Sequence, residues 1–219
     1  LLLNDFYIKQ NDVKATMKQD KETIEQKLTQ YHEFFSIAYE FSINILPLEK
    51  DKSTSFAQFI EDMPAPFKMA SEITTIDQAA LRPLQGLSGV ASQLVDFLNH
   101  QSEKINILMG YILSQQDEEQ FRYQGIEFGG GGLLFAAKHA FEVGQLIEMK
   151  VFLLDQSCAV YCYGEVVEVN KVADRYQHKT IFHFIREEDR EVLVRTSLHE
   201  QSKQLQLLAK QRDLDDKGN

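Results

Sequence analysis

The sequence predicts an α+β chain: long N-terminal helices carrying a heptad coiled-coil segment, then a small antiparallel β-barrel, then a C-terminal helix. Three observations predict it. Apolar residues recur at spacings of three and four up to Gln115. From Arg122 onward the pattern turns into short β-branched and aromatic runs separated by turn residues. After Arg186 helical spacing returns. The expected division is a helical oligomerisation region over 1–116, with long helices near 13–46 and 75–115, and a barrel with its closing helix over 117–219.

Between Val13 and Leu46 there is neither proline nor glycine, and Met17, Ile24, Leu28, Tyr31, Phe35, Ala38 and Ile45 fall on one helical face. Pro47 closes that segment. Residues 47–72 hold Pro47, Pro64 and Pro66 and read as a loop with a short helix around Phe56 to Glu61. Thr75 with Gln78 then forms a capping-box pair. Beyond it Leu84, Leu87, Ala91, Leu94, Leu98, Gln101, Ile105, Leu108, Ile112 and Gln115 alternate spacings of three and four, the pattern of a left-handed coiled coil.

The flanks of that seam widen its apolar band. Val90, Val95, Phe97, Met109 and Tyr111 fall at e and g positions, which implies more than one neighbour. A homo-oligomer is expected, a tetramer before a dimer. Gln101 and Gln115 place polar groups in the seam and fix its register, while Pro83, Gly86 and Gly89 delay its tightening until after Ala91. The competing reading is a monomer whose amphipathic helices pack on each other and on the barrel.

In the second half, 122–128, 133–137, 145–154, 160–169 and 179–185 read as strands with no helix between them, which favours a small antiparallel barrel. Glu187, Glu188 and Asp189 suit the start of the closing helix.

The formal net charge is −10 over 219 residues. Residues 1–120 hold 10 Lys+Arg against 18 Asp+Glu, and residues 121–219 hold 13 against 15. Neither half offers a basic stripe, which argues against nucleic-acid binding. No apolar run is long enough to span a bilayer and no basic-then-apolar leader is visible, so no membrane insertion is expected. Two cysteines, Cys158 and Cys162, form no disulfide framework, and a reducing cytoplasm is the simplest home. Spaced four apart on a strand they share one face, as buried thiols do.

The run Gly129–Gly130–Gly131–Gly132 invites a phosphate-loop reading, but such loops need a Lys-Ser/Thr pair and a following helix. Here Leu133, Leu134 and Phe135 continue as strand. A strand-to-strand corner requiring positive φ and close backbone approach is the better expectation. The six histidines form no metal spacing, no catalytic constellation is visible, and neither an enzyme nor a cofactor is expected.

The run "GIEFGGGGLLFAAKHAFEVGQLIEMKVFLL", followed by "GEVVEV", "IFHFI" and the helix opening "EEDREVLVR", resembles a PilZ domain, the bacterial cyclic di-GMP receptor module. The family's Asp/Asn-x-Ser-x-x-Gly element falls on Glu127 to Gly132. Glu127 replaces the Asp/Asn, Gly129 replaces the serine, and Gly132 matches. The family's Arg-x-x-x-Arg element has no counterpart, since Arg82 and Arg122 are the only arginines before Gly132 and each is solitary. The heptad segment is similar to the helices of an atypical, tetrameric PilZ branch. The resemblance implies a non-enzymatic signalling adaptor, linked to motility, adhesion, biofilm or virulence, that self-associates and acts through a protein partner. Its degenerate ligand residues would be Arg122, Glu127, Gly129, Gly130, Gly131 and Gly132, with weak or absent cyclic di-GMP binding. The alternative is a genuine receptor whose site is rebuilt from Arg122 and the glycine turn, or from a neighbouring subunit's arginines.

Overall fold

The computed structural model describes residues 26–29, 31–49, 55–70, 72–73, 90–153 and 158–217. Six strands, β1 (Ser36–Pro47), β2 (Arg122–Gly129), β3 (Gly132–Ala137), β4 (Leu146–Leu153), β5 (Cys158–Val172) and β6 (Arg175–Phe184), close a barrel in the order β1-β2-β3-β6-β5-β4. Every ladder is antiparallel. Among the described residues the helices α1 (Phe56–Asp62), α2 (Val90–Ser114) and α3 (Glu187–Lys217) accompany them, and residues 65–70 are helical as well. The α+β architecture, with helices ahead of an antiparallel barrel and a helix closing the chain, matches expectation.

β1 corrects the sequence reading. The helix expected over 13–46 gives way to a strand at Ser36, because Ile37, Tyr39, Phe41, Ile43 and Ile45 alternate with period two. Ile37, Phe41, Ile43 and Ile45 point into the barrel and are buried, which a helix could not arrange from those positions. Residues 26–29 and 31–33 are helical; the remainder of the expected first helix, 13–25, lies outside the described residues. So do the Thr75–Gln78 cap and the seam positions Leu84 and Leu87.

Strand alternation sorts the core into two layers. On β5, Val160 and Cys162 face the barrel interior with Phe128, Leu133, Phe135 and Met149. Ala159, Tyr161 and Tyr163 face outward, where they pack with Phe59 of α1, Phe67, and Met109 and Leu113 of α2. Burial pushes the Cys158 thiol up to about 12 and Cys162 well above the ordinary range, so both cysteines act as small apolar groups.

Polar clamps fix the outer layer. The buried Asn44 amide donates to Asp117 Oδ1 at 2.8 Å, and its oxygen accepts from the Glu118 backbone N–H at 2.7 Å. Lys150 reaches Glu118 at 2.9 Å and holds that carboxyl below its ordinary range. Asn44 and Lys150 are neighbours in the β1–β4 ladder, so two strands together grip the segment that follows α2. On the α1 side, Ser55 caps the helix by accepting from the Gln58 N–H at 3.2 Å. Tyr163 donates to Asp62 at 3.0 Å, and burial raises its hydroxyl to about 12.

Candidate functional site

β2 ends at Gly129 and β3 begins at Gly132, leaving Gly130 and Gly131 as the corner between them. Each glycine for which a neighbour can be named is there for close approach. A Cβ on Gly129 would lie 2.3 Å from the Phe35 carbonyl oxygen, and one on Gly132 would lie 1.9 Å from the Thr180 carbonyl oxygen. A Cβ on Gly130 would meet the Phe34 ring and the Val194 methyl, both at 2.6 Å. Positive φ, expected at this corner, is instead found among the described glycines only at Gly144, with φ +86°. The corner is a bend at Gly130 and Gly131, pressed between β1, β6 and α3.

The chain entering β1 fills the space around this corner. Tyr31 is buried among Val167, Ile181 and Leu28, and its hydroxyl donates to Glu127 Oε1 at 3.0 Å. Ser36 Oγ donates to the same oxygen at 2.6 Å. Burial, with Glu127 beside it, drives the Tyr31 hydroxyl far above its ordinary value, so it stays a donor. Lys27 pairs with Glu165 at 2.6 Å, and Lys179 lies 5.1 Å from the centre of the Tyr31 ring. Glu127, the candidate counterpart of the family's Asp/Asn, is therefore engaged by the protein's own hydroxyls.

α3 supplies a cation that sequence reasoning missed. Arg190 donates through Nη1 to the Gly130 carbonyl oxygen, and its guanidinium sits 5.5 Å from the Phe34 ring centre and 5.9 Å from that of Phe182. Glu187, one turn earlier, lies 3.6 Å from its Nε. Nothing in the local sequence marks Arg190, because its partner is a backbone oxygen 60 positions away. The Tyr31 and Phe34 contacts were hidden for the same reason.

Arg122 is not part of this corner. It opens β2 while the glycines follow that strand's far end, about 20 Å away at ~3.3 Å per residue. There it pairs with Asp117, Nε to Oδ2 at 3.0 Å, which raises the guanidinium pKa. Glu127, Gly129, Gly130, Gly131 and Gly132 are brought together; Arg122 is not.

On α2 the described seam residues point away from the barrel. Leu94, Ile105, Leu108 and Ile112 are exposed, Leu108 to 64 %, and Leu98 and Gln101 are half-buried. Met109, expected to widen the seam, is buried instead against the protein's own barrel beside Leu113. The helix thus has a docked face and an open apolar face. A coiled coil itself is not seen in this single chain.

The chain thus forms a closed six-stranded antiparallel barrel, with a helix packed across the glycine corner between β2 and β3; a strand follows the glycines, where a phosphate loop of the Lys-Ser/Thr type would lead into a helix. Residues 100–198 match the family model for the PilZ domain, and the chain carries a PilZ domain. β1 and the segment that fills the corner fall outside the matched range. No curated protein matches the sequence.

Among solved structures, the chain is similar to a pathogenic protein from Xanthomonas campestris, described as a tetrameric PilZ domain self-assembled via an unusual helical bundle. The identity is 14%, the TM-score 0.50, and the match covers 81% of this chain and 95% of that one. The Bacillus subtilis inhibitor of motility MotI/DgrA matches at 12% identity and TM-score 0.36, over 37% of this chain and 42% of that one. YcgR from Escherichia coli in complex with cyclic di-GMP matches at 13% identity and TM-score 0.30, over 45% of this chain and 40% of that one. The chain therefore spans less than half of those two proteins. Among the described residues no helix is long and apolar enough to cross a membrane.

Proposed function

We propose that the protein is a non-enzymatic bacterial signalling adaptor of the atypical PilZ type, with weak or absent cyclic di-GMP binding at the glycine corner. The observation that carries this reading is the occupied corner. Tyr31 and Ser36 hold Glu127, Phe34 lies against Gly130, and Arg190 is spent on the Gly130 carbonyl. A dinucleotide would have to displace these contacts without the two arginines whose bidentate grip would repay the cost.

Self-association is the second half of the proposal. The open face of α2, with Leu94, Leu98, Ile105, Leu108 and Ile112, supports assembly through the heptad seam that starts at Leu84, Leu87 and Ala91. A tetramer is the proposed state, in keeping with the assembly described for the Xanthomonas campestris protein. In this arrangement 1–116 supplies the oligomerisation region, with 36–47 lent to the barrel, and 117–219 supplies the remaining strands and α3. The assembly would present several barrels to a protein partner in the cytoplasm, serving motility or virulence.

Light scattering on the full chain tests the assembly. Four times the 25.3 kDa chain mass is the expected result. A monomer at micromolar concentration would overturn it.

A further inference from the structure

A second concave site lies at the opposite end of β2 from the glycine corner. It is an open groove of about 480 Å³ where β1, β2, β3 and β6 run side by side. That volume falls within the ~300–1,000 Å³ typical of small-molecule sites. Arg122, Tyr123, Gln124, Lys138, His139 and Arg175 are among the residues that line it.

The barrel topology makes this cluster. Arg122 and Gln124 are alternate residues of β2, Lys138 and His139 follow the end of β3, and Arg175 starts β6 just after a two-residue turn in which Ala173 takes φ 55°. These positions are far apart in sequence, so no local charge run advertises them. In a chain of net charge −10, three guanidinium or ammonium groups around one hollow need a reason.

Their partners are unequal. Arg122 is neutralised by Asp117, with Glu119 close by. Among the described residues Lys138 has no carboxylate partner, and Arg175 makes only a 3.3 Å bond to the neutral Gln124 amide oxygen. Two positive charges thus face the groove uncompensated. Beside them the His139 ring sits edge-on to Tyr123, with centroids 5.9 Å apart and the Tyr123 hydroxyl 3.4 Å from Nε2. An arginine fork and a lysine ammonium that can bond phosphate oxygens, set next to the exposed His139 ring and the edge of the half-buried Tyr123, recognise phosphate joined to a flat organic group.

We infer that this groove binds a phosphate monoester of nucleotide size, the phosphate held by Lys138 and Arg175 and the organic part packed on His139 and Tyr123. The site is separate from the glycine corner and stands whether or not that corner binds a dinucleotide.

The test titrates the full chain with AMP, GMP, CMP and UMP, and with inorganic phosphate, by calorimetry at near-physiological salt. Wild type should bind at least one of the nucleotides with Kd of about 1 mM or tighter, and inorganic phosphate more weakly. The double variant Lys138→Gln/Arg175→Gln should weaken that nucleotide about tenfold or more, while Lys210→Gln, exposed on α3 away from both sites, leaves it unchanged. No binding by any nucleotide at ~10 mM overturns the proposal, as does equal binding by the double variant. Inorganic phosphate binding as tightly as the nucleotides would refute the part played by His139 and Tyr123.

Discussion

Replacing Gly132 with alanine probes the packing that shapes the glycine corner. The added Cβ would lie 1.9 Å from the Thr180 carbonyl oxygen, 2.9 Å from its carbon and 3.0 Å from the Ile181 Cα. All three are backbone atoms of β6, so no side chain can rotate away. Relief requires β3 and β6 to separate by more than an ångström at the Gly132–Ile181 pair. That movement strains the Phe182 N–H to Gly131 carbonyl bond at 3.2 Å and the Thr180 hydroxyl to Leu133 carbonyl bond at 3.0 Å. Two weakened hydrogen bonds cost about 0.5–1.5 kcal/mol each, and overpacking adds roughly 1–3 kcal/mol. The stiffer unfolded chain returns about 0.4–1 kcal/mol. A net loss of about 1–5 kcal/mol is expected. Urea unfolding followed by circular dichroism at one fixed protein concentration reads it as a lower midpoint with unchanged slope. Gly144→Ala is the contrast: nothing lies within 4 Å of its Cβ, and its φ of +86° alone should cost about 1–2 kcal/mol. A neutral or stabilising Gly132→Ala would refute the close-approach account of the corner.

Other predictions follow from the same contacts. Leu98→Glu with Ile105→Glu should lower the mass by light scattering while the barrel's circular dichroism persists; an unchanged mass would remove the seam from the interface. Met109→Ala with Leu113→Ala should instead destabilise the docking of α2 by about 2–5 kcal/mol per site, because both side chains are buried against the barrel's outer layer. Burial lowers the pKa of His178, which accepts the Phe141 N–H through Nε2 at 3.0 Å and stacks on Phe135. Below about pH 6.5 the unfolded imidazole therefore takes up a proton that the folded one refuses, and stability falls as pH drops toward the folded pKa. The urea midpoint between pH 7 and 5.5 should fall more steeply in wild type than in His178→Phe, and equal slopes would contradict this.

The barrel was legible where the chain obeys one period. β2 to β6 announce themselves by β-branched and aromatic runs, and α3 by its acidic first turn of Glu187, Glu188 and Asp189. β1 was lost because Leu28, Tyr31, Phe35 and Ala38 satisfy helical spacing across the point where the helix ends. The strict alternation from Ile37 to Ile45 was present but overridden by the longer pattern. For Met109, a heptad position records spacing but not which of two neighbours a face meets, so a barrel contact read as seam. The glycine corner was found from composition, yet its cause was half mistaken: backbone from β1 and β6, distant in sequence, excludes a Cβ there. Tyr31, Phe34 and Arg190 act through partners that only the closed barrel brings near.

Calorimetry of the assembled protein with cyclic di-GMP, at near-physiological salt, tests the central claim most directly. An occupied corner without an arginine pair predicts no heat of binding up to several hundred micromolar, about 5 kcal/mol or less of binding free energy. Binding at low micromolar Kd or tighter, retained in Lys138→Gln/Arg175→Gln, would contradict it and make this barrel a true receptor of that dinucleotide.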